Sequence, residues 1–166
     1  LQQLATRHRR QFDIPVIAIT GTNGKTTTKE LLSAVLASHY PAHFTKGNLN
    51  NHIGVPMTLF RLRPGHGAAV VEMGTNHFGE VRRLAETARP THGVITNIGR
   101  EHLQFFRDLS GVAKAEGELF ECLAASGGTA WGAPLSSCAT RAMSRCLEPM
   151  RSICQKPSPM RMAPLE

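Results

Sequence analysis

Six residues near the N-terminus, Gly21-Thr-Asn-Gly24-Lys25-Thr26, narrow the possible folds more than anything else in the chain. They follow a short apolar run, Ile14-Pro-Val-Ile-Ala-Ile19, of the kind expected for a strand buried on both faces of a parallel sheet. Pro15 suits the first position of such a strand, where a missing N–H costs little. Behind the turn, Leu31, Leu32, Val35 and Leu36 recur at helical spacing, which predicts a helix from about Thr26 to Ser38 with Pro41 beyond its end. Strand, glycine loop and helix in that order let backbone N–H groups and a helix N-terminus converge on phosphate oxygens. Glycine permits the close approach and the positive φ this needs. In such a loop Lys25 reaches the β- and γ-phosphates of a nucleotide and the Thr26 hydroxyl ligates Mg²⁺. The general phosphate-loop pattern has a glycine five positions before Gly24, where this chain has Ile19, so the loop is a shorter variant that turns at Gly21. The plain alternative is an ordinary strand-to-helix turn with an accidental Lys-Thr pair.

The same alternation continues downstream. Ala68-Ala-Val-Val-Glu-Met73 reads as a second strand, and Gly79 to Ala88 as a helix with Val81, Leu84, Ala85 and Ala88 on one stripe. Gly93-Val-Ile-Thr-Asn-Ile98 reads as a third strand, followed by a helix from about Leu109 to Ala124 that carries Val112, Ala115, Leu119 and Leu123. The expected fold is therefore α/β, a phosphate-loop parallel sheet with flanking helices and right-handed crossovers, over residues 14–130. Ligands of open α/β sheets bind beyond the carboxyl ends of the strands. Glu72 lies at such an end and is either a Walker-B-like magnesium carboxylate or a paired structural glutamate. His102, after Asn97-Ile-Gly-Arg-Glu101, is either a metal ligand or a loop histidine. His8, His39, His43, His52, His66, His77 and His92 have weaker cases, and most are expected to be solvated.

The chain has 166 residues and 19 Lys plus Arg against 12 Asp plus Glu, a formal charge of +7. That balance raises a nucleic-acid partner, but its distribution argues against one. Residues 1–13 carry +2 and residues 131–166 carry +3, leaving +2 on the 117 residues between. One Trp and one Tyr give little for bases to stack on. The expectation is no nucleic-acid partner, a basic N-terminal arm over 1–13, and an unpatterned tail over 131–166. That tail holds four of six Met, three of four Cys and five of ten Pro, with no sustained period. Cys138, Cys146 and Cys154 recur every eight residues, yet no CxxC or HxxxH partner supports a metal there. A shifted reading frame would explain the abrupt loss of pattern. Sparse cysteine fits a reducing compartment, no apolar run reaches the roughly 20 residues of a spanning helix, and Leu1 to Arg10 lack a signal-peptide core. The chain is expected to be cytoplasmic and monomeric, with Leu1 in place of an initiator Met pointing to a fragment or a processed chain.

Ile19-Thr-Gly-Thr-Asn-Gly-Lys-Thr-Thr-Thr-Lys-Glu30 resembles the ATP-binding loop of the Mur ligases. Thr45-Lys-Gly-Asn-Leu-Asn-Asn-His-Ile-Gly-Val-Pro56 and Glu72-Met-Gly-Thr-Asn-His-Phe-Gly-Glu80 are similar to the branch of that family that adds D-alanyl-D-alanine. Thr96 to His102 and Gly111 to Glu118 extend the likeness, collinearly, over about residues 12–130, while the tail matches nothing recognisable in the family. The stretch Gly47-Asn-Leu-Asn-Asn-His-Ile-Gly-Val-Pro56 argues against the related folylpolyglutamate synthases. The resemblance implies ATP-dependent amide-bond formation in peptidoglycan synthesis. The γ-phosphoryl group activates the carboxylate of a UDP-N-acetylmuramoyl-tripeptide as an acyl phosphate, and the amine of D-alanyl-D-alanine attacks it. Lys25 and Mg²⁺ would offset charge on the phosphoryl oxygens.

By the same resemblance Gly21, Thr22, Asn23, Gly24, Lys25, Thr26 and Thr27 contact ATP. Thr26 and Glu72 hold one magnesium, and His102 helps to hold a second. Asn48, Asn50 and Asn51 face the muramoyl-peptide substrate, although asparagine is equally suited to turns. Many Mur ligases have a carbamylated lysine where this chain has Glu116, whose carboxylate is expected to contact the second metal directly or through water. Lys114, two residues away, should point off that helical face. Mur ligases have three domains, and this chain corresponds to the central one, truncated at its C-terminal side. Alone it is expected to bind nucleotide weakly and to ligate poorly or not at all, so a non-catalytic ATP-binding fragment is the alternative.

Overall fold

The computed structural model describes residues 1–100 and 103–132. In chain order the elements are α1 (Gln2–Arg9), β1 (Val16–Thr20), α2 (Lys25–Ala37), β2 (Ala42–Phe44), α3 (Gly54–Leu59), β3 (Ala68–Glu72), α4 (Glu80–Ala88), β4 (His92–Ile95), α5 (Leu103–Phe106), α6 (Leu109–Ser126) and β5 (Thr129–Gly132). The five strands form one sheet in the order β2-β3-β1-β4-β5, with every pairing parallel. This is the α/β parallel sheet with flanking helices that the alternation predicts. β1 and β3 lie at its middle, and all their residues are buried, which is why both read as unbroken apolar runs.

Strand alternation divides the core into two layers. Val16 and Ala18 of β1, with Ala69 and Val71 of β3, pack under α4 and α6 in the larger layer. Ile17, Ile19 and Val70 face the other way, against Leu32 and Leu36 of α2. α6 lies close over β4: a Cβ on Gly93 would stand 2.4 Å from Leu123 Cδ1, so a side chain there would have to displace Leu123. α2 departs from expectation in its apolar stripe. Leu32 and Leu36 meet the sheet, but Leu31 and Val35, one step back around the helix, are each 66% exposed.

Three other expectations change. Residues 1–13 do not form an arm throughout, because α1 packs against α3 and α4 and buries Ala5 and Arg9. At the other end, Trp131 and Gly132 belong to β5, paired with Val94 and Ile95, and the Trp131 indole stacks on His92 at 5.3 Å. The third strand is shorter than Gly93–Ile98, ending at Ile95. Residues 133–166, with Cys138, Cys146 and Cys154, and also His102, lie outside the described residues. Among the described residues no helix is long and apolar enough to cross a membrane.

Arg9 explains why a charge-rich segment joins the core. Arg9 is 6% exposed, and its guanidinium donates to the carbonyl oxygens of Ala88 (3.1 Å), Phe12 (2.5 Å), Ile14 (3.2 Å) and Arg89 (3.4 Å). It thereby ties α1 to the start of β1 and to the end of α4. Burial and the neighbouring Arg89 lower its pKa from the ordinary arginine value, and Asp13 opposes that shift. Arg9→Ala should lower stability by about 2–4 kcal/mol, as expected for loss of a buried, charge-assisted hydrogen-bond hub. Urea denaturation of the two proteins measures it, and an unchanged midpoint would show that the Arg9 hydrogen bonds add nothing to the stability of the fold.

Candidate nucleotide-binding site

The site begins where β1 ends. Continuing the alternation, Thr20 points into the α6 layer and Glu72, at the end of β3, into the α2 layer. Thr20 donates its hydroxyl to Glu116 Oε2 at 2.5 Å, and the Gly21 N–H donates to the same oxygen at 3.0 Å. Gly21 has φ +122°, and a Cβ there would lie 2.3 Å from Thr96 Oγ1, so glycine is obligatory at the turn. The rest of the loop is laced to the segment after β4. The Thr22 N–H donates to the Asn97 carbonyl (3.1 Å), and the Asn23 N–H to Asn97 Oδ1 (2.8 Å). The Thr96 hydroxyl donates to the Asn23 carbonyl (2.7 Å), and the Gly99 N–H to Thr22 Oγ1 (2.9 Å). Thr96 to Gly99 leave the sheet in order to hold this loop, which is why β4 stops early.

α2 starts directly behind Gly24, with the exposed Thr26 and Thr27 in its first turn. Its free N–H groups and dipole make that end attractive to anions. Lys25 Nζ donates to the carbonyls of Gly21 (2.6 Å) and Thr22 (3.0 Å), which places its charge over the loop.

Glu72 lies 2% exposed on the neighbouring strand. Its N–H donates to Thr45 Oγ1 (3.0 Å), and its Oε1 accepts from Asn50 Nδ2 (2.9 Å). Its Oε2 is buried without a hydrogen bond, 3.7 Å from Lys29 Nζ. Lys29 is completely buried, 3.0 Å from Glu30 Oε1, and donates to the Gly47 carbonyl at 3.4 Å. An orphaned carboxylate oxygen fits a hard cation such as Mg²⁺, which takes one or two carboxylates together with phosphate and water oxygens. Such a site needs no protein cage, and among the described residues no group of three or more His, Cys, Asp or Glu stands ready to hold a metal.

The asparagines are engaged within the protein. Asn50 holds Glu72 through its amide and takes the Gly74 N–H (2.8 Å) on its carbonyl. Asn51 Oδ1 accepts from the N–H groups of Ile53 (3.0 Å) and Gly54 (2.9 Å) at the start of α3, while Asn48 is exposed. Glu116 is 4% exposed beneath the phosphate loop, and Lys114 stands off its face, exposed above the Phe78 ring at 5.8 Å. The loop after Glu72 is stapled by Glu80. Burial pushes the Glu80 pKa up, but the N–H groups of Asn76 and His77 and the Thr75 hydroxyl outweigh it and hold it below the ordinary carboxylate value.

Three contributors escaped the sequence reading: Lys29, Thr45 and the backbone and side chain of Asn97. Lys29 alone had a local signal, since it follows Lys25 by four residues and so lies on the same helix face, toward the sheet.

Residues 19–131 match the family described as Mur ligase middle domain. The UDP-N-acetylmuramoyl-tripeptide–D-alanyl-D-alanine ligase of Escherichia coli K12 is 45% identical over 125 residues, covering 75% of this chain and 28% of that protein. The chain therefore spans just over a quarter of the length of this curated relative. Crystal structure I of MurF from Acinetobacter baumannii superposes with a TM-score of 0.79 at 37% identity, covering 87% of this chain and 32% of that one. MurF from Thermotoga maritima, solved in complex with ADP, superposes with a TM-score of 0.69 at 30% identity, covering 73% of this chain and 28% of the other. With its phosphate-loop sheet and a match over residues 19–131, this chain belongs to the Mur ligase middle-domain family.

Proposed function

We propose that residues 14–130 are the ATP-binding unit of a cytoplasmic ligase that adds D-alanyl-D-alanine to a UDP-N-acetylmuramoyl-tripeptide in peptidoglycan synthesis. The observation that carries the nucleotide half is the buried, hydrogen-bond-free Oε2 of Glu72 on the strand beside a strand–glycine loop–helix unit. The substrate half follows the name of relatives such as the Escherichia coli ligase, 45% identical over 125 residues.

In this reading Gly21 to Thr27 cradle the phosphates of ATP. The N–H groups at the start of α2 donate to phosphate oxygens, and Lys25 turns from the loop carbonyls to the β- and γ-phosphates. Thr26 and Glu72 hold Mg²⁺, which when bound neutralises charge on the phosphoryl oxygens. Glu116 keeps Gly21 in place from below and, with His102, serves a second cation, as its position relative to the carbamylated lysine of other Mur ligases implies. Asn48, Asn50 and Asn51 belong to the loop proposed to meet the muramoyl-peptide, with Asn48 offering the exposed side chain. Transfer of the γ-phosphoryl group to the tripeptide carboxylate gives an acyl phosphate. Attack by the dipeptide amine then releases phosphate and forms the amide. The protein's contribution is to fix the phosphates and to supply positive charge where negative charge accumulates.

Isothermal titration of the chain with a non-hydrolysable ATP analogue and Mg²⁺ should show binding that Lys25→Ala weakens by about tenfold or more, the worth of one charge-assisted hydrogen bond. Binding that survives the substitution unchanged would remove the phosphate-loop assignment. In a ligation-competent full-length protein, Glu116→Gln should slow turnover and raise the Mg²⁺ concentration required. A wild-type rate and Mg²⁺ dependence would remove Glu116 from the metal site.

A further inference from the structure

The buried lysine of α2 has no place in the phosphate chemistry. Lys25 already faces the loop, and a second lysine one turn along the same helix face is a like-charge pair that destabilises an isolated helix. Complete burial of the Lys29 side chain adds a desolvation cost that only close partners offset. Its partners form a particular set. Glu30 Oε1 lies 3.0 Å away on an exposed side chain, the Gly47 carbonyl accepts at 3.4 Å, and Glu72 Oε2 lies at 3.7 Å.

The distances to the last two matter. At 3.7 Å Lys29 attracts the Glu72 carboxylate without a hydrogen bond, so the lone pairs of Oε2 remain available to a cation. The other carboxylate oxygen is held by Asn50, and Asn50 follows Gly47 by three residues in the same loop. Thr45, just before Gly47, receives the Glu72 N–H. Lys29 is thus the point at which α2, the 45–50 loop and the end of β3 are joined around one carboxylate.

We propose that Lys29 is a positioning residue that aims Glu72 Oε2 toward the magnesium of bound nucleotide and fixes the 45–50 loop against it. The assignment rests on the reading of Glu72 as a magnesium ligand, and it differs in its consequence from simple stabilisation of the fold. A purely structural lysine would change nucleotide affinity at every Mg²⁺ concentration, whereas a positioning lysine changes the Mg²⁺ requirement and acts only through Glu72.

The test is a double-mutant cycle on the whole chain, reading the Mg²⁺ concentration for half-maximal binding of a non-hydrolysable ATP analogue, with circular dichroism to confirm folding. Glu72→Gln and Lys29→Met should each raise that concentration about tenfold or more, the usual effect of removing a ligand or its outer partner. Affinity at saturating Mg²⁺ should be preserved in Lys29→Met. The double variant, which removes both buried charges together, should require no more Mg²⁺ than Glu72→Gln alone. Lys29→Gln, which keeps a donor near Gly47, carries the same comparison if Lys29→Met does not fold. Additive shifts in the double variant, or an unshifted Mg²⁺ requirement in a folded Lys29 variant while Glu72→Gln shifts it, overturn the role of Lys29 alone. If Glu72→Gln leaves the requirement unmoved, the magnesium reading of Glu72 falls and the assignment of Lys29 falls with it.

Discussion

A buried peptide N–H must find an acceptor, and at Gly21 the acceptor is a carboxylate from the far side of the sheet. Glu116 Oε2 takes both that N–H and the Thr20 hydroxyl, so one charged oxygen closes the carboxyl end of the central strand. Everything beyond depends on this closure. With Gly21 fixed, the next two N–H groups reach Asn97, Gly24 enters the left-handed region at φ +80°, and α2 begins with its amides free. An apolar side chain at position 116 would leave the buried Gly21 N–H unpaired, a cost of about 1–3 kcal/mol, while the Thr20 hydroxyl would keep the Met73 carbonyl as its acceptor at 3.0 Å.

The elements legible in the sequence were those whose periodicity and burial agree. β1 and β3 are buried on both faces, and α4 and α6 turn one apolar stripe to one layer. β2 has three residues and α3 six, too short to show a period. β5 has only Ala130 and Trp131 to offer a hydrophobic signal, and its place comes from pairing with β4. Residues 1–13 read as a basic arm from Arg7, Arg9 and Arg10, whereas α1 is a packed helix in which Arg9 donates to four carbonyls. In α2 the sequence shows four large apolar residues, and the helix brings two of them to the sheet.

The site divides in the same way. Gly21, Lys25 and Thr26 form a contiguous motif, so spacing alone locates them. The surroundings of Glu72 are assembled from two separate stretches, α2 and the 45–50 loop, and residue type points elsewhere for each contributor. Lysine suggests solvent, threonine suggests strand surface, and asparagine suggests turns or substrate. The structure gives the Asn50 amide to Glu72 and the Asn51 carbonyl oxygen to the start of α3. Both side chains are thus committed to shaping the loop, with the exposed Asn48 at its tip.

The hydrogen bonds that shape the phosphate loop join residues 73 to 96 positions apart. Local helix formation cannot assemble them, because each requires a long loop of chain to be closed first. As the chain is made, the glycine turn therefore lacks its Thr96–Gly99 supports until β4 is formed and its Glu116 support until α6 has docked. In the proposed nucleotide-binding reading, occupancy of this site would require that β1, the segment after β4 and α6 have already come together.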